Sequence, residues 1–248
     1  MRFGALIIGD EILSGRRKDG HLAKLIELLH ARGLRLGWAR YAGDDLLALT
    51  QTLRETFATG DVVFSFGGIG ATPDDNTRQA AAAALGCELR LHPEAEALIR
   101  GRFGKEVTEQ RLDMGRFPEG AEIIPNPYNQ IPGFRIARHF FVPGFPVMAH
   151  PMVEAVLDTH FAQLAHREDY VEESVHIEQG HEGLLVAFMR ELAARYPQAA
   201  LFSLPSVGET PAQRSLELGM KGTRADVAAA MAEIRAELNR LGLRFRPA

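Results

Sequence analysis

The run Phe64-Ser65-Phe66-Gly67-Gly68-Ile69-Gly70-Ala71-Thr72-Pro73-Asp74-Asp75-Asn76-Thr77 puts three glycines, then Asp-Asp-Asn-Thr, directly after an apolar stretch. Glycines behind a buried strand let the backbone turn tightly and come close to a bulky anion. Their N–H groups can converge as a nest, and a helix opening just beyond adds positive partial charge. This is phosphate-holding chemistry, and it makes Gly67, Gly68, Gly70, Thr72, Asp74, Asn76 and Thr77 candidate ligand contacts. The plainer alternative is a strand-to-helix turn with Asp74 or Asp75 as N-cap, although one cap needs only one such side chain.

Acids recur after the other apolar stretches. Gly9-Asp10-Glu11-Ile12-Leu13-Ser14-Gly15, with Asp19 behind it, follows the first. A carboxylate pair there could hold ribose hydroxyls or a divalent cation, since Mg²⁺ takes oxygen ligands and bridges to substrate phosphates; either acid alone reads as a cap or as solvated. In Gly43-Asp44-Asp45, Asp44 is expected to cap the next helix, leaving Asp45 able to reach a crevice. Asn126–Gly133 and Pro143-Gly144-Phe145-Pro146 are turn-rich, and turns explain them. The nine histidines include no His-Glu-x-x-His spacing; His21, in the first loop region, is expected as a solvated helix start. Cys87, the only cysteine, lies in the strand-like stretch Cys87–Leu91 and is expected in a buried packing role, Trp38 in packing or at an interface, and Arg214 at the surface.

The elements that would position these groups follow from apolar patterning. Phe3–Ile8 and Asp61–Phe66 read as buried strands and Leu34–Tyr41 as a third. Helices are expected over Gly20–Ala31, from Asp44 or Asp45, and from Asp74 or Asp75 to Leu85. This β-α-β-α-β-α order argues for a mostly parallel sheet covered on both faces, a three-layer α/β/α fold. Right-handed crossovers then bring the loops after the strands to one edge, where such sheets bind ligands, so Gly9–Asp19 and Gly67–Asp75 should share a crevice. Later come a helix at Pro93–Phe103, strands at Ala121–Ile124 and His139–Val142, and a helix to about Leu164. His166-Arg167-Glu168-Asp169 reads as a linker between residues 1–166 and a small α+β domain at 167–248, ordered β-α-β-β-α-β as in the ferredoxin-like split arrangement.

With 46% hydrophobic and 24% charged residues, the chain can bury a core. Its net charge of −4 gives no basic excess for nucleic acid. One cysteine excludes an intramolecular disulfide and points to a reducing compartment. The apolar run at the N-terminus stops at Gly9 and is too short for a signal-peptide core or a bilayer span, so a cytoplasmic location is expected.

The Gly9–Gly15 motif, the Asp44-Asp45 pair and the Gly67–Thr77 run resemble the molybdopterin-binding domain of the MoaB/Mog and CinA families, most of all its CinA-like branch, over about residues 3–160. The tail resembles the small α+β domain that follows in CinA, and the amidohydrolase domain that ends many CinA proteins is not expected here. The resemblance implies a fold that binds a phosphorylated pterin (molybdopterin) or a nucleotide. It implies phosphate contacts at Gly67, Gly68, Gly70 and Thr72, with Ser14, Pro143 and Gly144 nearby, and functional acids at Asp45 and Asp75. A divalent metal (Mg²⁺, Mn²⁺ or Co²⁺) is expected on Asp10, Glu11, Asp45 and Asp75, with phosphoanhydride hydrolysis of the ADP-ribose kind. Binding without turnover, or a protein-interaction role, stays open. A homo-oligomer, dimer or trimer, is expected by the same resemblance. Three ligand-facing stretches depart from the family pattern: Asp19-Gly20-His21 for Asp-x-Asn, Asn129-Gln130-Ile131-Pro132-Gly133 for Gly-Thr-Ala-Pro-Gly, and Phe145-Pro146-Val147-Met148-Ala149, which lacks the usual acid.

Overall fold

A computed structural model describes residues 2–165, 170–178, 180, 182–206 and 214–248. The expected linker, His166 to Asp169, lies outside the described residues. The chain divides into two compact units, Met1–Ala165 and His166–Ala248.

The first unit runs β1 (Phe3–Ile8), α1 (Asp10–Leu13), α2 (His21–His30), β2 (Leu36–Ala42), α3 (Leu46–Thr59), β3 (Val62–Phe66), α4 (Thr77–Leu85), β4 (Leu89–Leu91), α5 (Pro93–Phe103), α6 (Glu109–Asp113), β5 (Arg116–Pro118), β6 (Glu122–Ile124), β7 (Gly133–Ile136), β8 (His139–Val142) and α7 (Pro146–His160). Six strands form one sheet in the order β2-β1-β3-β8-β7-β6. β2, β1, β3 and β8 are mutually parallel, and β7 runs against both its neighbours.

The alternation of a strand splits the core in two. Phe3, Ala5 and Ile7 of β1 pack with Leu25 and Leu29 of α2 and with Met152, Val153 and Leu157 of α7. Leu6 and Ile8 face the other way, onto Leu49 and Leu53 of α3 and Ala80 and Ala81 of α4. Both faces of the sheet are therefore covered, which is the expected three-layer arrangement. Trp38 on β2 lies over Gly4 of β1, where any Cβ would strike the indole ring, and its Nε1–H donates to Asp61 at 2.9 Å.

Several elements depart from expectation. α4 opens at Thr77 rather than at Asp74 or Asp75. α7 ends at His160, and only a 3₁₀ turn, Ala162–Leu164, follows. β4 falls within the strand-like stretch Cys87–Leu91, but its partner β5, with which it pairs antiparallel as a separate ribbon, is three residues long and too short to leave a periodic signal. β7 pairs with β8 across Ala137-Arg138, with Ala137 at φ 51° where no glycine announces a turn. Cys87 is half-buried rather than buried, whereas Arg214 is exposed as expected.

The second unit holds β9 (Tyr170–Glu178), α8 (Val186–Arg195), β10 (Ala200–Ser206), β11 (Ser215–Thr223), α9 (Arg224–Arg240) and β12 (Phe245–Pro247). Its sheet order is β10-β11-β9-β12, with every neighbouring pair antiparallel, the split arrangement that the element order implies. Val175, Ile177, Leu216 and Leu218 bury against Val227, Met231, Ile234 and Leu238 of α9. Among the described residues, no helix is long and apolar enough to cross a membrane.

Candidate ligand-binding site

β1 and β3 are adjacent and parallel, so the segments after Ile8 and after Phe66 leave the sheet side by side. Gly67 takes φ +102°, and a Cβ there would run into the Ile8 carbonyl oxygen. Its N–H ends the ladder on the Val142 carbonyl at 3.0 Å. Gly68 follows at φ +68°. From here the start of α4 takes hold of the turn's carbonyls. Thr77 Oγ1–H donates to Gly67 O at 3.0 Å, Thr77 N–H donates to Gly68 O at 3.0 Å, and the Arg78 guanidinium donates to Gly70 O.

Every peptide bond described here is trans. A planar trans peptide sets each C=O opposite the next N–H. Three carbonyls tied to α4 therefore turn the N–H groups of Gly68, Ile69 and Ala71 away from it, on the side where these residues line a cavity. None of the three amides donates to an acceptor among the described residues.

The cavity measures about 410 Å³. The turn from Gly67 to Thr72 forms one wall, and Ile12, Ile131, Phe145 and Met148 contribute apolar surface. The two turn-rich stretches belong to the enclosure. Pro143 and Gly144 line it, and Gly144 sits so close that a Cβ would lie 3.3 Å from Gly67 Cα. Asn126, only 5% exposed, shapes the other stretch by donating to Asn129 Oδ1 at 2.8 Å and Ile131 O at 3.0 Å. Both asparagines line the cavity.

The acids sort differently from expectation. β2 continues to Ala42 and α3 begins at Leu46, so the N-cap falls on Asp45, whose Oδ1 accepts from Ala48 N–H at 2.8 Å. Asp44 takes the cavity position expected of Asp45. Its Oδ2 accepts from Asp10 N–H at 2.8 Å. Burial, and then the charges of Asp10, Glu11 and Asp74, push the Asp44 carboxyl above its ordinary range, while the Asp10 amide pulls the other way. Asp75 lines the cavity, but Oδ2 accepts from Thr72 N–H at 2.8 Å and from the Thr72 hydroxyl. Asp74 and Glu11 also line it.

Asp10, Ser14, Asn76 and Thr77 do not line the cavity. Ser14 is exposed at the end of α1. Asn76 donates from Nδ2 to Asp44 O at 2.8 Å, tying the two loops together. The Thr77 hydroxyl is fully buried and spent on the turn itself. These four stand around the cavity without lining it.

His21, expected in solvent, is 4% exposed. It stacks on Phe66 at 4.6 Å and meets Gly144 O through Nε2 at 3.2 Å. A carbonyl only accepts, so Nε2 carries the proton, and burial holds the ring below its usual pKa. Arg17 also lines the cavity, over the Phe145 ring at 5.6 Å and 3.7 Å from Glu11. Arg78 escaped notice in the sequence. Its one signal there is a lone arginine at the head of an alanine run.

Among the described residues, no group of three or more His, Cys, Asp or Glu side chains could hold a metal by itself. The set Asp10, Glu11, Asp45 and Asp75 does not converge, because Asp45 is used as a cap and Asp10 lies outside the cavity. An ion that takes one or two carboxylates and completes its shell with phosphate oxygens and water asks less, and Glu11 and Asp44 offer such oxygen donors.

A family model described as "Probable molybdopterin binding domain" matches residues 4–163. A CinA-like protein of Anaeromyxobacter sp. (strain Fw109-5) is 40% identical over 149 residues, covering 57% of this chain and 36% of the relative. A protein of Caldivirga maquilingensis is 32% identical over 200 residues, covering 77% of this chain and 76% of its own length. The matched region thus spans little more than a third of the CinA-like relative and three-quarters of the second protein. Among solved structures, the protein CinA with unknown function from Thermoplasma acidophilum superposes with a TM-score of 0.59 at 28% identity, over 64% of this chain and 98% of that one.

Proposed function

The chain belongs to the molybdopterin-binding-domain family, in its CinA-like branch, and from that premise we propose that its cavity binds a phosphorylated pterin or nucleotide by the phosphate. One observation carries the reading. The Gly67, Gly68 and Gly70 carbonyls are tied to α4, so the intervening amides are presented together, as a phosphate requires. The apolar wall of Ile12, Ile131, Phe145 and Met148 suits a flat ring system.

Among the described residues, Glu11, Asp44, Asp74 and Asp75 outnumber the one lining cation, Arg17. A divalent cation, when bound, would offset that excess and neutralise phosphate oxygens, with Glu11 and Asp44 as its protein ligands.

Titration calorimetry with AMP and ADP-ribose, with and without Mg²⁺, tests the reading. Binding of both, competed by inorganic pyrophosphate, supports it; heat-silent titrations under every condition overturn it. A second reading, hydrolysis of a bound phosphoanhydride, is favoured by Asp44, a raised carboxyl facing the cavity. Incubating ADP-ribose with Mg²⁺, Mn²⁺ or Co²⁺ and following AMP release separates the two: no AMP leaves a binding module.

The cap assignment gives a further expected outcome. Asp45→Ala lowers unfolding stability by about 1 kcal/mol, the usual worth of an N-cap, and leaves AMP affinity unchanged. Thermal unfolding and calorimetry on the same sample check it. A loss of affinity with stability intact would return Asp45 to the site.

A further inference from the structure

Arg78 is 4% exposed and, histidines set aside, is with Asp61 one of two charged side chains buried among the described residues. Its guanidinium donates to three main-chain carbonyls: Gly70, Asp113 and Arg116, the last at 3.5 Å. Nε finds no partner among the described residues. Among the described residues no carboxylate is hydrogen-bonded to it, although Asp75 and Asp113 act on it through space. Taking an unpaired guanidinium out of water is expensive, and a packed methionine or leucine would fill such a position more cheaply. Arg78 therefore needs a reason beyond packing.

Its position supplies one. Gly70 lies in the wall of the cavity, and Arg78 stands behind it, touching the far side of the same peptide. On the near side, acids outnumber cations. We propose that Arg78 is a positioning residue for the anion. It locks the Gly70–Ala71 peptide with its N–H toward the ligand, and it places a poorly screened positive charge behind the turn. Burial makes this charge more effective than one on the surface, because the intervening medium is protein rather than water. Asp113 and Arg116 carry the other two carbonyls, so the same side chain also fixes the ribbon beyond α6 against the turn.

This inference rests on the phosphate reading above, and the experiment keeps the two failures apart. Affinities of AMP and of adenosine are measured by calorimetry for the wild type and for Arg78→Met, Arg78→Gln and Arg78→Lys, with circular dichroism reporting fold. Wild-type protein that binds neither compound defeats the phosphate reading itself. Given wild-type binding, Arg78→Met is expected to weaken AMP by about tenfold or more and to leave adenosine unchanged. A role in packing alone would weaken the two compounds equally, and that result overturns the proposal. Arg78→Lys keeps the charge without the fork and should recover part of the AMP affinity. Should Arg78→Met fail to fold, the ranking of Arg78→Lys above Arg78→Gln for AMP, absent for adenosine, carries the same decision; equal affinities for the two variants refute it.

Discussion

Gly68→Ala is expected to weaken AMP binding by about two orders of magnitude, the loss of one or two charge-assisted hydrogen bonds. Two effects combine. The residue sits at φ +68°, where an L side chain costs about 1–2 kcal/mol. The new Cβ would also land on Thr77 Oγ1, the hydroxyl that holds the Gly67 carbonyl. Thr77 must move, the carbonyl is released, and the peptide that presents the Gly68 N–H is free to rotate. Gly15→Ala is the control, because Gly15 has φ +72° with nothing within 4 Å of a Cβ. It should lose about 1 kcal/mol of stability through the backbone alone and keep its AMP affinity. A folded Gly68→Ala protein that binds AMP like the wild type would end the phosphate-turn account.

The second large effect is acid destabilisation through His139. The ring is 1% exposed on β8 and packs against Phe57 with centroids 4.0 Å apart. Thr56 Oγ1–H donates to Leu53 O at 3.1 Å, so the contact between Thr56 Oγ1 and His139 Nε2 at 2.9 Å has the imidazole as donor. The neutral tautomer with the proton on Nε2 is thereby specified. Protonating Nδ1, which has no partner among the described residues, would bury both a charge and an idle donor. Burial accordingly lowers the pKa from 6.5 to about 3.

The folded value lies below the unfolded one, so between them the unfolded chain holds the extra proton. Stability is complete above the unfolded value near 6.5 and falls as pH drops toward the folded value. The full window is worth about 4 kcal/mol, and the step from pH 6.5 to 5 about 2 kcal/mol. His21, His150 and His160 are also lowered, each first by burial, and they act in the same direction. His139→Gln, which keeps a donor for Thr56 and cannot titrate, isolates one residue's share. Urea unfolding from pH 7 to pH 5 should show a shallower decline in this variant than in the wild type. Parallel curves for the two proteins would assign the acid sensitivity elsewhere.

Much of the frame was written in one dimension. The strand at Phe3–Ile8, the helix at Pro93–Phe103, the crossover order and the meeting of the Gly9 and Gly67 segments follow from apolar spacing and the handedness of crossovers, which are local rules. Glycine in the Gly67–Gly68 turn was equally legible, since φ values of +102° and +68° leave little other choice. What the tertiary structure alone decided is which polar group spends itself on the protein and which faces the cavity. One residue's difference in where β2 ends makes Asp45 a cap and sends Asp44 to the cavity. Thr77 looks like a ligand contact in sequence and is an internal brace, whereas His21 looks solvated and is packed on Phe66. Arg78 is one arginine in a helix until its three carbonyl partners, from segments up to 38 residues away, converge on it. A side chain's type sets what bonds it can make, but only the packed neighbours determine which of them are already made.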